Sequence, residues 1–215
     1  MLNEIGEKLV QCDMHCDGIE KEPQKGIIPR TLILQSREGE GTSIMVGLNP
    51  GKCKPEERNY YLDHGIKFTS IKGYFFDSKL HDNPYFKRMR ELVTTLGFEG
   101  DILWTNLAKC ECKGKNGDVP MQTLRVCINH FLRKEIDVFQ SSTIFALGKT
   151  AFDFCALSFP EHFIVGIPHP TGSRTFIPLR KKIQENSAPY LAAIAEKRDK
   201  NSNYRAIRLE HVQNG

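Results

Sequence analysis

Apolar side chains recur along the chain with two spacings, one typical of helices and one of buried strands. Apolar residues three or four positions apart within 2–10 predict a short helix that ends just before Cys12. The same spacing predicts a helix over 83–96, with a glycine directly after it. A third such series over 128–139 predicts a helix with Cys127 at its start.

Short apolar runs between these helices predict strands. They lie at residues 31–35, 43–47, 101–107, 143–147 and 163–167. The last two are nearly continuous, as expected of strands covered on both faces. Strands that alternate with helices predict an α/β fold with a parallel sheet between helical layers. We expect one domain over 1–215 and predict no fold for the polar tail, about 197–215.

Composition narrows the class of protein. The chain has 215 residues, 40% hydrophobic and 26% charged, which is ordinary for a globular domain. Its seven cysteines cannot all pair as disulfides, and Glu4 and Glu7 interrupt the segment where a secretory signal needs apolar residues. We therefore expect an intracellular, reducing location. No apolar run approaches the roughly 20 residues of a membrane-spanning helix, so no membrane partner is expected.

Four cysteines have the spacing of a metal or cluster site. Cys12 and Cys16 form a close pair near the start, and Cys110 and Cys127 follow about a hundred residues later. Two ligands near the start and two more far along suit a thiolate cage that joins distant parts of the chain. On spacing alone, the cysteines can equally be small buried apolar residues.

Three polar motifs follow predicted strands. They are Gly-Leu-Asn-Pro-Gly at 47–51, Thr-Asn-Leu-Ala-Lys-Cys at 105–110 and His-Pro-Thr at 169–171. Each alone is typical of a turn or loop, but together with the cysteines they resemble the uracil-DNA glycosylase superfamily. The resemblance is closest to its iron–sulfur branch and extends from Cys12 to about Arg174. In that branch two N-terminal cysteines, the cysteine of Thr-Asn-x-x-Lys-Cys and a helix-opening cysteine hold a four-iron four-sulfur (4Fe-4S) cluster.

The resemblance implies a fold and a cofactor. The fold is a three-layer αβα sandwich with a central four-stranded parallel sheet, its ends stapled by the iron–sulfur cluster. The implied ligands are Cys12, Cys16, Cys110 and Cys127. The first pair here is separated by three residues instead of that branch's usual two, and Cys112 is a rival third ligand.

One alternative to the cluster and one alternative to the iron–sulfur branch stay open. Zinc accepts mixed sulfur and nitrogen ligands, here Cys12, His15, Cys16 and either Cys110 or Cys112. In addition, Asn49 stands where the iron–sulfur branch has an acidic residue, and Gly-x-Asn-Pro-Gly is similar to the motif of the mismatch-specific thymine/uracil branch.

The resemblance also implies site residues. Asn49 positions the attacking water, since an amide does not accept a proton at neutral pH. His169 stabilises the departing base, and Asn106 binds the Watson–Crick edge of the base. Gly47 and the aromatic Tyr61, twelve residues beyond Asn49, complete the predicted base-binding set.

Basic residues after strands predict a DNA partner better than the modest net charge of +4. Lys149 follows Gly148, a glycine that predicts a tight turn from strand into helix and a phosphate contact. The resemblance implies that Arg174 occupies the place where relatives have the residues that enter DNA after base flipping, as a wedge or a phosphate clamp. A nucleotide-hydrolase loop is excluded because Thr143 stands where that loop requires glycine.

The sequence thus predicts a monomeric DNA glycosylase of base excision repair that flips uracil, or a related deaminated base, and hydrolyses its N-glycosidic bond. The alternative is a non-catalytic DNA-binding module with the same fold and cluster.

Overall fold

The computed structural model describes residues 1–78, 80–114, 118–199 and 205–212. The strands are β1 (Ile19–Glu20), β2 (Ile33–Gln35), β3 (Ser43–Gly47), β4 (Ile102–Asn106), β5 (Glu111–Cys112), β6 (Thr143–Leu147), β7 (Phe163–Ile167) and β8 (Ala206–Arg208). The helices are α1 (Leu2–Val10), α2 (Pro55–His64), α3 (Phe68–Ser78), α4 (Pro84–Thr95), α5 (Met121–Cys127), α6 (Arg133–Phe139), α7 (Lys149–Ser158), α8 (Phe176–Glu185) and α9 (Ala188–Asp199).

The chain forms two compact units, each assembled from three stretches. The first, here called the cysteine unit, comprises Met1–Ile33, Leu48–His81 and Trp104–Gln140. The second, here called the sheet unit, comprises Leu34–Gly47, Asp82–Leu103 and Ser141–Gly215.

The main sheet has six strands in the order β2-β4-β3-β6-β7-β8. Strand β3 pairs in parallel with β6, β6 with β7, and β7 with β8. Every residue of β3, β6 and β7 is buried, as expected of central strands covered on both faces. The result is an α/β fold with a mixed central sheet flanked by helices.

Strand predictions from the apolar runs agree with these elements. The runs at 43–47, 143–147 and 163–167 are strands over their full length, and those at 31–35 and 101–107 contain the shorter strands β2 and β4. The helix predicted over 83–96 is α4, for which the Asn83 side chain accepts a hydrogen bond from the Tyr85 backbone N–H at 2.9 Å.

Two sequence-based predictions are corrected. The sheet has six strands instead of four because β2 adds one edge strand and the tail, for which no fold was predicted, adds β8 as the other, parallel to β7. Part of that tail, residues 200–204 and 213–215, lies outside the described residues. Cys127 does not start a helix, because α5 begins six residues earlier, at Met121 after Pro120.

After Cys127 the chain continues through a π-helical segment, Ile128–Leu132, into α6. The apolar series that predicted a helix over 128–139 therefore corresponds to the second half of a longer helical stretch. No helix in the described parts of the chain is both long and apolar enough to cross a membrane.

Candidate functional site

The first motif turns away from the sheet directly after β3. Gly47 is the last, buried residue of that strand, and Asn49 lies in the bend that follows, half-buried. The Asn49 side-chain Nδ2 donates a hydrogen bond to the Pro50 carbonyl oxygen at 2.9 Å. That bond orients the amide, whose Oδ1 is the atom with which Asn49 can accept a hydrogen bond from a ligand or water.

The second motif lies beside the first. Asn106 ends β4 and is half-buried. Two residues later, the Ala108 backbone N–H donates to the Leu48 carbonyl oxygen at 2.9 Å. This bond joins the loop that carries Asn106 to the loop that carries Asn49, so two of the predicted site residues lie on adjacent loops.

A buried arginine holds the residues that follow Asn49. Arg30 is only 3% exposed; its Nε lies 2.8 Å from Glu57 Oε1 and its Nη1 lies 3.0 Å from Glu111 Oε2. Its Nη2 donates to the Gly51 carbonyl oxygen. Glu111 Oε2 also accepts a hydrogen bond from the Cys53 backbone N–H at 2.6 Å. The first-motif loop is thus fixed from inside the cysteine unit.

Tyr61 is inside the protein. Its side chain is fully buried, and its hydroxyl donates to Glu57 Oε1 at 2.9 Å, while burial raises the pKa of that hydroxyl. The ring packs against Tyr74 with centroids 5.7 Å apart. A base can stack on Tyr61 only if this cluster rearranges. The neighbouring Tyr60 is half-buried and stacks on His64 with ring centroids 4.1 Å apart.

The third motif forms a tight loop around His169 after β7. The Gly172 backbone N–H donates to His169 Nδ1 at 3.2 Å, and the Thr171 N–H lies 3.4 Å from the same atom. Burial lowers the pKa of His169. An Nδ1 that accepts N–H bonds carries no proton, so the neutral ring has its proton on Nε2 and presents that N–H as a donor.

Helix α4 supports the His169 loop from one side. The Tyr85 and His169 rings lie 5.8 Å apart between centroids. Arg88 Nη1 donates to the Pro170 carbonyl oxygen at 3.1 Å. Both contacts come from the first two turns of α4, which fixes the direction of the imidazole.

We expect the lowered pKa of His169 to make stability depend on pH. The unfolded chain protonates its histidine near pH ~6.5, whereas the native ring stays neutral to lower pH. Below about pH 6.5 the unfolded state therefore binds more protons, and the unfolding free energy of wild type falls relative to His169→Gln. Urea denaturation of both proteins between about pH 7.5 and pH 5 measures this difference. A difference that stays constant over this range contradicts the prediction.

The two predicted DNA-binding residues lie at exposed positions of the sheet unit. Lys149 is the first residue of α7. It follows Gly148, whose φ of 93° agrees with the tight turn predicted there. Its Nζ lies 2.6 Å from Asp153 Oδ2 in an exposed pair. Such pairs contribute little to stability, so a phosphate can replace Asp153 as the partner. Arg174 is exposed in the loop before α8.

The structure ties the two cysteine-bearing segments together. Strand β1, which follows Cys12 and Cys16, pairs with β5, which follows Cys110, and Ile19 is opposite Cys112. This two-stranded antiparallel element, β1 and β5, is here called the cysteine ribbon. The Thr123 hydroxyl on α5 donates to the Asp17 carbonyl oxygen at 2.9 Å, and Lys21 Nζ donates to the Cys12 carbonyl oxygen at 2.7 Å.

Four of the free thiols interact electrostatically. Burial raises the pKa of the Cys110 thiol to about 12, and Cys127, Cys12 and Cys16 act in the same direction. Burial likewise raises the pKa of Cys16, with Cys127 and Cys12 as the next contributors. The Cys112 thiol donates to the Gly114 carbonyl oxygen at 3.2 Å. The interacting thiols described here are those of Cys12, Cys16, Cys110 and Cys127.

This donor set fits a thiolate-bound group. All four cysteines are unpaired, which leaves four sulfur ligands available. In the described part of the chain, no three His, Cys, Asp or Glu side chains already stand in metal-binding geometry.

A second buried ion pair follows Asn106. Lys109 is 1% exposed and Glu135 on α6 is fully buried, and Lys109 Nζ lies 2.6 Å from Glu135 Oε2. The Thr105 hydroxyl bonds to both, at 2.6 Å in each case. The pair holds the residue directly before Cys110 against the helix that continues from Cys127.

Sequence reasoning missed both buried pairs. The sequence indicates no partner for Lys109, although its place directly before Cys110 in an apolar segment could have indicated burial. Arg30, Glu57 and Glu111 gave no signal, because nothing in the sequence connects residues that lie 27 to 81 positions apart.

The residues predicted from the sequence belong to both units. The cysteine unit carries Asn49, Tyr61, Asn106 and the four interacting cysteines, and the sheet unit carries Gly47, Lys149, His169 and Arg174. A comparison with curated proteins gives no match. The model of one protein family, described as the uracil DNA glycosylase superfamily, matches residues 40–194. The match covers more than half of the chain and includes all three polar motifs, so the chain belongs to the uracil DNA glycosylase superfamily.

Proposed function

We propose that this protein is a monofunctional DNA glycosylase that acts as a monomer and hydrolyses the N-glycosidic bond of uracil or a related deaminated base in DNA. Membership of the superfamily supports glycosylase activity. The observation that carries the proposal is the state of His169, a neutral imidazole whose Nδ1 accepts backbone N–H groups and whose Nε2–H is a donor.

His169 serves the departure of the base. When the glycosidic bond breaks, positive charge develops on the sugar and negative charge on the base. A donor fixed near a base oxygen stabilises that negative charge more in the transition state than in the bound substrate. A neutral imidazole suits this role because its proton stays on Nε2 while the backbone amides of Thr171 and Gly172 occupy the other ring nitrogen.

Asn49 serves the attack of water. Its Nδ2 is bonded to the Pro50 carbonyl oxygen, so Oδ1 accepts a hydrogen bond from the attacking water and orients it. An amide cannot take a proton from that water at neutral pH. The mechanism therefore depends on a sugar cation already well developed when water adds, which needs orientation more than a strong base.

Recognition of the base falls to Asn106, which offers a donor and an acceptor side by side, as the Watson–Crick edge of uracil does. Gly47 contributes backbone at the end of β3. Tyr61 is the proposed stacking residue, after a rearrangement of its buried cluster. Lys149 would bind a DNA phosphate in place of Asp153, and the exposed Arg174 would clamp a phosphate or fill the gap left by the flipped base.

A four-iron four-sulfur cluster would be held by Cys12, Cys16, Cys110 and Cys127, supported by their electrostatic interaction and by the cysteine ribbon. The cluster would supply a covalent link between distant segments and no redox step, since hydrolysis needs none. Zinc held by cysteines with His15 is the alternative occupant.

Cys127→Ser tests the cofactor. We expect the variant to lose most of the iron and the visible absorption of the purified protein, because one of four sulfur ligands is removed. Anaerobic purification, metal analysis and absorption spectra give the measurement.

Cys53→Ser is the matched control. It is buried in the same unit, and its thiol donates to the Gly26 carbonyl oxygen at 3.8 Å, so the substitution removes a buried thiol outside the four proposed ligands. Full iron content and unchanged melting in Cys127→Ser would refute the cluster assignment. A colourless wild type that contains zinc would establish the alternative metal.

Oligonucleotide cleavage tests the function itself. Wild-type protein is incubated with labelled DNA that carries uracil, hypoxanthine, xanthine or a G·T mismatch, and abasic sites are then cleaved with alkali. We expect strand breaks at uracil or at another deaminated base. Binding to DNA without breaks at any base would replace the glycosylase by the non-catalytic DNA-binding module.

A further inference from the structure

The residues immediately after Asn49 are held by one buried ion pair. Arg30 binds the carbonyl oxygen of Gly51, and Glu111 binds the backbone N–H of Cys53. The two side chains also bind each other at 3.0 Å, with exposures of 3% and 0%. Both ends of the segment 51–53 are therefore attached to the same rigid pair.

This attachment extends to the Asn49 side chain. Asn49 Nδ2 donates to the Pro50 carbonyl oxygen, which belongs to the peptide bond that joins Pro50 to Gly51. The next carbonyl oxygen, that of Gly51, is the one bound by Arg30. Only the two backbone dihedrals of Gly51 separate this fixed carbonyl from the preceding peptide, so its attachment limits where that peptide, and the amide that bonds to it, can lie.

The other end of the pair is rooted in the cysteine ribbon. Glu111 lies between Cys110 and Cys112 in β5, where it is opposite Glu20 of β1. The Arg30 backbone N–H also donates to the Lys109 carbonyl oxygen at 3.2 Å. A displacement of the segment that carries Cys110 therefore moves both partners of the ion pair.

An ion pair at this place is better explained by positioning than by stability. Burying an arginine and two carboxylates is seldom more stabilising than packing apolar side chains of similar volume. What a guanidinium provides is a planar fork that fixes several acceptors at once, here Glu57, Glu111 and the Gly51 carbonyl oxygen.

We propose that Arg30 and Glu111 are positioning residues for Asn49, and that they make the orientation of its amide oxygen depend on the cysteine ribbon. The inference rests on the proposed glycosylase function. Arg30 keeps the first-motif backbone in the geometry in which Asn49 Oδ1 faces the attacking water. Glu111 transmits the position of the Cys110 segment to the same backbone.

Arg30→Lys is the main test, because lysine keeps the charge and loses the fork. Under single-turnover conditions we expect the rate of base release to fall about 10- to 100-fold, as for other small misplacements of a reacting group. The dissociation constant for uracil-containing DNA should change less than about twofold, since Arg30 is buried and binds no DNA. Glu111→Gln should likewise slow base release and leave the dissociation constant for uracil-containing DNA nearly unchanged.

A double-mutant cycle separates positioning from a general loss of structure. In an Asn49→Ala background there is no amide to orient, so Arg30→Lys should have almost no further effect on the rate. If Arg30→Lys slows the reaction equally in both backgrounds, or not at all in wild type, the positioning role is overturned. Arg37→Lys in the sheet unit, whose guanidinium bonds to the Phe98 carbonyl oxygen and to Thr94, is the control for loss of a half-buried arginine fork.

Hydrogen exchange at the Cys53 amide tests the coupling without any activity. In wild type its bond to Glu111 should protect it, and Arg30→Lys, Glu111→Gln and Cys127→Ser should each speed its exchange, while Arg37→Lys should not. Unchanged exchange in Cys127→Ser overturns the link to the cysteine segments. If wild type cleaves no base at all, the proposed function fails, whereas the exchange result still tests the connection between ribbon and loop.

Discussion

Replacing His169 by alanine should lower the rate of base release by about 10²–10³-fold at saturating DNA, because we propose its Nε2–H as the donor for the charge that develops on the base. Single-turnover cleavage of uracil-containing DNA measures this rate. The affinity for DNA that carries an abasic site should stay within about threefold of wild type, since the lost interaction is made mainly in the transition state.

Two further variants test whether the effect of His169→Ala is due to loss of the N–H donor. His169→Gln keeps a side-chain N–H donor and should recover part of the loss. His162→Ala is the control. His162 is a half-buried histidine of the sheet unit that bonds through Nδ1 to the Ser141 carbonyl oxygen, and the variant should cleave DNA at the wild-type rate. A His169→Ala variant that releases base as fast as wild type would remove the histidine from the mechanism.

Lys109→Ala should lower the free energy of unfolding by about 3–5 kcal/mol, because it leaves the carboxylate of Glu135 buried without its charge partner. For a chain of this size, that loss corresponds to a melting temperature lower by roughly 6–20 °C. Urea denaturation gives the free energy, and thermal melting followed by circular dichroism gives the temperature.

Lys149→Ala is the comparison for Lys109→Ala. Its pair with Asp153 has the same N–O distance of 2.6 Å but is exposed, so its loss should change stability by less than about 1 kcal/mol. The double variant Lys109→Met with Glu135→Leu should be more stable than Lys109→Ala, since it removes both buried charges. Equal losses for Lys109→Ala and Lys149→Ala would show that burial does not strengthen the ion pair.

The central strands could be predicted because burial on both faces leaves a plain sequence pattern. Residues 43–47, 143–147 and 163–167 are apolar runs bounded by polar turns, and each is a strand over its full length. Helix α4 has the further signal of Asn83 as its cap. Both are local features, determined by neighbouring residues in the sequence.

The elements that were missed lack a local pattern. Helix α2 buries only Glu57 and Tyr61 and has no apolar face. Strand β8 is short and lies in a polar tail, so only its pairing with β7 makes it a strand. The apolar series begins at Ile128, so it gives no indication that α5 starts at Met121.

Short motifs in the sequence indicate the candidate site residues Asn49, Asn106 and His169, whose roles stay predictions. The residues that support the motifs could not be predicted. Arg30 reaches Glu111 across 81 positions, and polar side chains in a protein core give no hydrophobic signal. Tyr61 was chosen by its distance from Asn49 along the chain, which says nothing about whether a ring faces solvent.

The cysteine unit is assembled from three stretches of the chain, and this determines the order in which its parts become available during synthesis. Cys12 and Cys16 leave the ribosome long before Cys127, and the unit needs residues up to Gln140 to be complete. At ~5–20 residues per second, the first two thiols wait roughly 6–23 s for the last one. During that interval they are open to oxidants and to stray metal ions. Any group that joins all four thiols is therefore inserted late, into a chain whose first cysteines have had to stay reduced.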